Sequence, residues 1–144
     1  MKVAAILKAK GSRVATTRTD VSIATVAHRL KMEHVGALVV SNDHRTVLGM
    51  ITERDILHGL AEHGASLLDM RVDELMSLGT PSCAPEESIN QVMARMTRER
   101  MRYLPVLEHG RLCGIISIGD VVKERLVEIE LEANVLRDAF VIPH

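Results

Sequence analysis

Gly49-Met50-Ile51-Thr52-Glu53-Arg54-Asp55-Ile56 returns 65 residues later as Gly114-Ile115-Ile116-Ser117-Ile118-Gly119-Asp120-Val121. Glycine, two apolar residues, a hydroxyl residue and an aspartate stand at matching places. Upstream the match continues with an offset of 66: Ile23, Val26, Leu30, Leu38 and Val40 fall on Ile89, Val92, Met96, Leu104 and Val106. One loop of the second copy is therefore a residue shorter. Val3-Ala4-Ala5-Ile6-Leu7 also resembles Val72-Asp73-Glu74-Leu75-Met76. The chain is two copies of one unit of roughly 65 residues, a period that has to be found before any fold is assigned.

Each copy has the same predicted order of elements. Arg13 to Thr17 is a short strand of small and β-branched residues. Asp20 or Ser22 can cap a helix whose apolar residues Ile23, Val26, Ala27 and Leu30 recur at helical spacing. Gly36 to Val40 is a buried strand, Asn42-Asp43-His44-Arg45 has turn chemistry, and Val47 to Ile51 is the next strand. Thr52 opens a helix that runs to about His63 and closes at Gly64. The second copy gives a strand near Ser82, a helix from Ser88 to about Arg100, strands at Tyr103 to Leu107 and Leu112 to Ser117, and a helix from about Gly119.

Such a β-α-β-β-α unit, with one apolar sheet face and two amphipathic helices, cannot close its own core, whereas two packed sheet to sheet can. The expected fold is α+β (α/β-type) with pseudo-two-fold symmetry. Residues 1–66 form the first repeat, 67–125 the second and 126–144 a C-terminal helical extension. Val122, Leu126, Ile129, Ala133, Leu136 and Phe140 are spaced 4, 3, 4, 3, 4 and make an apolar stripe along that helix. Two readings of the stripe stand: it docks back on its own core, or it pairs with the helix of a second copy. Pro143 ends the helix.

The formal net charge of −1 supplies no field for nucleic acid or a membrane surface. Tyr103 and Phe140 are the whole aromatic complement, too few for a base-stacking platform. No run approaches 18 apolar residues, and the apolar stretch in Met1 to Lys10 is too short for a signal peptide. Cys83 and Cys113 lack metal or redox spacing and read as idle thiols in a reducing cytoplasm. His28 and His34, six apart, and His58 and His63, five apart, miss the spacing of a helical metal pair. There is no dinucleotide, Walker or nucleophile-elbow motif, and no base is placed near Ser117, so neither catalysis nor a catalytic cofactor is expected. Met32, Met50, Met93, Met96 and Met101 read as core filler.

The chemistry lies in Thr52-x-x-Asp55 and its twin Ser117-x-x-Asp120, each opening a helix after an apolar strand. One reading is a capping box, in which the hydroxyl accepts an orphan N–H and the acid favours the positive helix end. The repetition invites a second reading. A helix N-terminus with a hydroxyl suits a phosphate. A carboxylate on the first turn repels phosphate but accepts from the two hydroxyls of a vicinal diol. Hydroxyl and carboxylate together suggest a nucleoside with its phosphate close by.

Gly-apolar-apolar-Thr/Ser-x-x-Asp, following Gly36-Ala37-Leu38-Val39-Val40 or Arg102-Tyr103-Leu104-Pro105-Val106, resembles the CBS domain, and the pair resembles a Bateman module of the short stand-alone bacterial kind. The resemblance implies a non-catalytic regulatory module. Its ligand is an adenosine compound: AMP, ADP, ATP or NAD, with S-adenosylmethionine also open. The same resemblance implies one site from Thr52 and Asp55 with Arg102, Tyr103 and Pro81, and another from Ser117 and Asp120 with Gly36, Ala37 and Ser12. The aspartates would hold ribose hydroxyls, and Thr52 and Ser117 phosphate or ribose. Arg54 and Arg102 favour the first site for a charged phosphate, leaving the second for a less charged group or empty. A homodimer, and an effector protein that reads the ligand-bound state, are the implied partners. The alternative is an interaction module with vestigial sites.

Overall fold

The computed structural model describes residues 1–140; Pro143, expected to end the last helix, lies outside them. Ser22 and Ser88 start the first helix of each repeat in the same way. Their hydroxyls accept the N–H groups of Thr25 at 3.2 Å and Gln91 at 3.1 Å, opening α2 (Ile23–Glu33) and α5 (Ile89–Glu99). Both helices end on a left-handed residue, His34 with φ 54° and Arg100 with φ 55°.

In the first repeat, β1 (Thr16–Thr17) runs parallel to β2 (Ala37–Val40), which pairs antiparallel with β3 (Gly49–Thr52). In the second, β4 (Tyr103–Glu108) pairs antiparallel with β5 (Arg111–Ser117), and a parallel bridge from Cys83 to Val106 stands where β1 stands in the first. Strand side chains alternate between faces. Leu38, Val40 and Ile51 therefore meet Ile23, Val26 and Leu30 of α2, while Leu104, Val106 and Ile116 meet Ile89, Val92 and Met96 of α5. The opposite faces meet each other: Ala37, Val39 and Met50 are buried against Tyr103, Leu112 and Ile115. The repeats thus pack through their sheets.

The segment leading into each repeat is exchanged. Val3 and Ile6 of α1 (Val3–Lys10) lie in the core of the second repeat, with Ile89, Leu104 and Ile116. Val72 of α4 (Val72–Leu75) lies in the core of the first, next to Leu67 of a 3-10 helix over Gly64–Asp69 that the sequence reading missed. Isolated bridges Lys2–Ser88 and Ser22–Arg71 hold the exchange at its ends. The repeated glycine reflects this close approach. A Cβ at Gly49 would lie 2.3 Å from the Ser77 carbonyl oxygen, and one at Gly114 would lie 2.5 Å from a Leu7 methyl.

The second helix of each repeat is α3 (Glu53–His63) and α6 (Ile118–Phe140). Val121 of α6 is buried in the core, but the stripe beyond it is not: Leu126 is 61% exposed, Leu136 59% and Phe140 80%. Docking of the stripe on its own core is thereby excluded among the described residues. Met32 also departs from expectation and is 62% exposed. It follows Leu30 by two residues, which turns it some 200° around α2, away from the buried face. Met50 and Met96 are buried, and Met93 and Met101 pack against the core, as filler should.

Exchange of α1 makes a local prediction. Ile6→Ala should cost about 2–4 kcal/mol, the usual range for emptying a buried aliphatic site. The lost hydrogen-exchange protection should fall on β4 and β5, with β2 and β3 retaining theirs. Equal loss in both sheets would contradict the assignment of α1 to the second core.

Candidate functional site

Thr52 and Asp55 form a reciprocal capping box at the start of α3. The Asp55 N–H donates to Thr52 Oγ1 at 3.2 Å. In return, Asp55 Oδ2 accepts the Thr52 N–H at 2.9 Å and the Thr52 hydroxyl at 3.1 Å. The other oxygen, Oδ1, accepts the exposed Ser77 hydroxyl at 3.3 Å. Ser117 and Asp120 repeat the box at the start of α6, with bonds of 3.1 Å and 2.9 Å. The capping reading is therefore correct at both motifs, and any ligand must use what capping leaves over.

At the first motif a good deal is left over. Thr52, Arg54 and Asp55 line a cleft of about 780 Å³ whose far wall is Arg102, Tyr103 and Pro81. That size suits a small organic ligand. Six residues singled out from the sequence thus meet in one place, contributed by both repeats. The cleft floor adds apolar surface from Met50, Leu57, Leu78 and Met101. It also holds Arg100 and the Ser77–Thr80 loop, which the sequence reading passed over. The signal for Arg100 was its offset of 66 from His34, which makes it the αL residue that ends α5 just before the wall strand. Three arginines, Arg54, Arg100 and Arg102, therefore line the cleft together with two acidic residues, Asp55 and Glu53.

Gly36 and Ala37 lie behind this wall. A Cβ at Gly36 would fall 2.0 Å from the Tyr103 hydroxyl oxygen, so the missing side chain makes room for that hydroxyl. Ala37 is buried with Tyr103 in the sheet interface. Burial, then the charge of Glu53, push the Tyr103 pKa up.

The second motif is dressed differently. Lys10 Nζ donates to Asp120 Oδ2 at 2.7 Å and to the Ile115 carbonyl at 3.0 Å. Burial pushes the Asp120 pKa up, but the Lys10 ammonium and the Ser117 N–H outweigh it and hold the carboxyl below its ordinary value. Ser12 lies two residues beyond Lys10 and is exposed.

Burial pushes the Cys83 thiol up to about 12, which makes it inert, and raises the half-buried Cys113 as well. Among the described residues no group of three or more His, Cys, Asp or Glu could hold a metal ion. No helix among them is long and apolar enough to cross a membrane.

Comparison with known proteins agrees with this architecture. The CBS domain family model matches residues 11–62 and again residues 72–127. The crystal structure of the CBS-domain containing protein ATU1752 from Agrobacterium tumefaciens superposes with a TM-score of 0.83 at 43% identity, over 86% of this chain and 92% of that one. The mitochondrial CBS domain-containing protein CBSX3 of Arabidopsis thaliana is 32% identical over 109 residues, 73% of this chain. The chain spans about half of that relative, 53% of its length. The CBS domain pair of protein MJ0100, crystallised with 5′-methylthioadenosine and S-adenosyl-L-methionine, has the same fold, with a TM-score of 0.75 at 22% identity over 89% of this chain and 98% of that one. With both repeats matched and the pair superposed as a unit, the chain belongs to the CBS domain family.

Proposed function

We propose that the cleft between the repeats binds an adenosine-containing nucleotide (AMP, ADP, ATP or NAD) and that the chain is a non-catalytic regulatory module. The observation that carries this reading is the composition of the cleft: one capping carboxylate with an oxygen to spare, beside three arginines. Asp55 Oδ1 exchanges the weak Ser77 hydroxyl contact for ribose hydroxyls. The phosphate lies toward Arg54, Arg100 and Arg102, where guanidinium geometry fits its oxygens. Met50, Leu78 and Met101 offer the apolar slot that a flat base needs. A CBS pair crystallised with two adenosine compounds supports the ligand class. A nucleotide bridging the two repeats binds one relative arrangement of them better than another, and that difference is the signal. An effector protein in the same cytoplasmic compartment reads it.

The output passes through a homodimer on this reading. The apolar stripe of α6 is exposed, and the charges that flank it are self-complementary. In a parallel, in-register pair Arg125 meets Glu130 of the partner subunit and Glu132 meets the partner subunit's Arg137, both attractive. Leu126→Glu with Ile129→Glu should convert the dimer to monomer in sedimentation while leaving Tm nearly unchanged. An unchanged sedimentation coefficient would place self-association elsewhere.

A thermal-shift panel of AMP, ADP, ATP, NAD and S-adenosylmethionine against GMP tests the ligand. A compound at 100 times its Kd should stabilise the protein by about 2.7 kcal/mol, an easily measured rise in Tm. Asp55→Asn keeps an oxygen for the cap and removes the charge. It should weaken the best compound about 10- to 100-fold, the range for a hydrogen bond to a charged group, and leave Tm without ligand almost unaltered. A flat panel on nucleotide-stripped protein would favour the ligand-free interaction module, for which the two closed capping boxes already speak.

A further inference from the structure

The two motifs are related by the pseudo-two-fold axis, yet the exchanged segments that reach them differ. Val3 corresponds to Val72, so Lys8-Ala9-Lys10 stands where Ser77-Leu78-Gly79 stands in the other copy. The helix-forming residues let α1 continue for eight residues, to Lys10. In the other copy α4 stops after four, at Leu75, and the chain runs into Gly79 (φ 63°) and Pro81 as a loop. At the Asp55 motif the short helix leaves an open cleft with a neutral hydroxyl on the carboxylate. At the Asp120 motif the longer helix delivers an ammonium.

That ammonium makes two hydrogen bonds: one to the carboxylate oxygen that caps α6, the other to the Ile115 carbonyl on the strand before it. The ammonium takes the capping oxygen Oδ2 and leaves Oδ1, so it acts by neutralising the carboxylate and by filling the space beside it, and both side chains of the pair are partly buried. Building on the nucleotide reading of the cleft, we infer that Lys10 is the resident occupant of the second motif. It closes that motif to nucleotide, so that each chain takes one nucleotide, at Asp55. Lys10 thereby sets stoichiometry, and the module senses through one face only.

Calorimetric titration with AMP of wild type, Lys10→Ala and Lys10→Met, each alone and combined with Asp55→Asn, tests this. Lys10 sits at the exposed end of α1, and the methionine variant keeps the apolar stem should alanine disturb the helix. Wild type should bind one AMP per chain and lose it with Asp55→Asn. The Lys10 variants should gain a second site that survives Asp55→Asn and disappears with Asp120→Asn. No gained site in either Lys10 variant overturns the inference. So does a wild type that binds two AMP of which one is lost on Lys10→Ala, since Lys10 would then be a phosphate ligand. Failure of wild type to bind at the Asp55 cleft would instead count against the nucleotide reading itself, while a site gained only in the Lys10 variants would still uphold the closure.

Discussion

The structure depends on the incompleteness of each repeat. A two- or three-stranded sheet with helices on one face leaves its other face apolar, and Ala37, Val39 and Met50 are covered from the other repeat by Tyr103, Leu112 and Ile115. The leading segments tighten that dependence, since Val3 and Ile6 complete the second core and Val72 the first. Neither repeat is a whole folding unit, and the relative position of the two is fixed by buried contacts on both sides of the sheets. A cleft lined by both repeats is therefore sensitive to any small change in how they sit, as the proposed regulatory role requires.

The same packing explains why the site is built from capping groups. Glu53 N–H donates to the Gly36 carbonyl at 3.0 Å, and Ile118 N–H to the Arg102 carbonyl at 2.8 Å. Each second helix thus starts against the residue that leads into the hairpin of its own repeat, before β2 or β4. Each capping box stands at this junction, next to the seam between repeats. The hydroxyl and carboxylate are needed there to start the helix, and one carboxylate oxygen is left for other use. On the proposed reading, structural and binding roles share the same residues, with the loop or helix arriving from the exchanged segment deciding which role dominates.

Much of this was legible in the sequence because it is local and repeated. The two Gly-to-Asp stretches, the serine caps of α2 and α5 and the short apolar strands all depend on residues a few positions apart. The meeting of Thr52, Arg54 and Asp55 with Pro81, Arg102 and Tyr103 followed from the family resemblance rather than from any spacing. What escaped depends on distant contacts. Lys10 and Asp120 are 110 residues apart, and nothing around Lys10 distinguishes it from a solvated lysine. Met32 was misread because apolar character was taken without its angle around the helix. Gly36 was taken as lining for a ligand, and no spacing foretold that its want of a side chain also admits the Tyr103 hydroxyl. The fate of the α6 stripe required knowing which of its residues the rest of the fold covers.

The central claim is that Asp55 and the three arginines form one nucleotide site. A crystal structure of the protein soaked with AMP tests it most directly. The ribose hydroxyls should lie within hydrogen-bond distance of Asp55 Oδ1, with the phosphate among Arg54, Arg100 and Arg102 and the base against Met50 and Met101. AMP bound away from this cleft, or a cleft still empty at saturating AMP, would contradict the account.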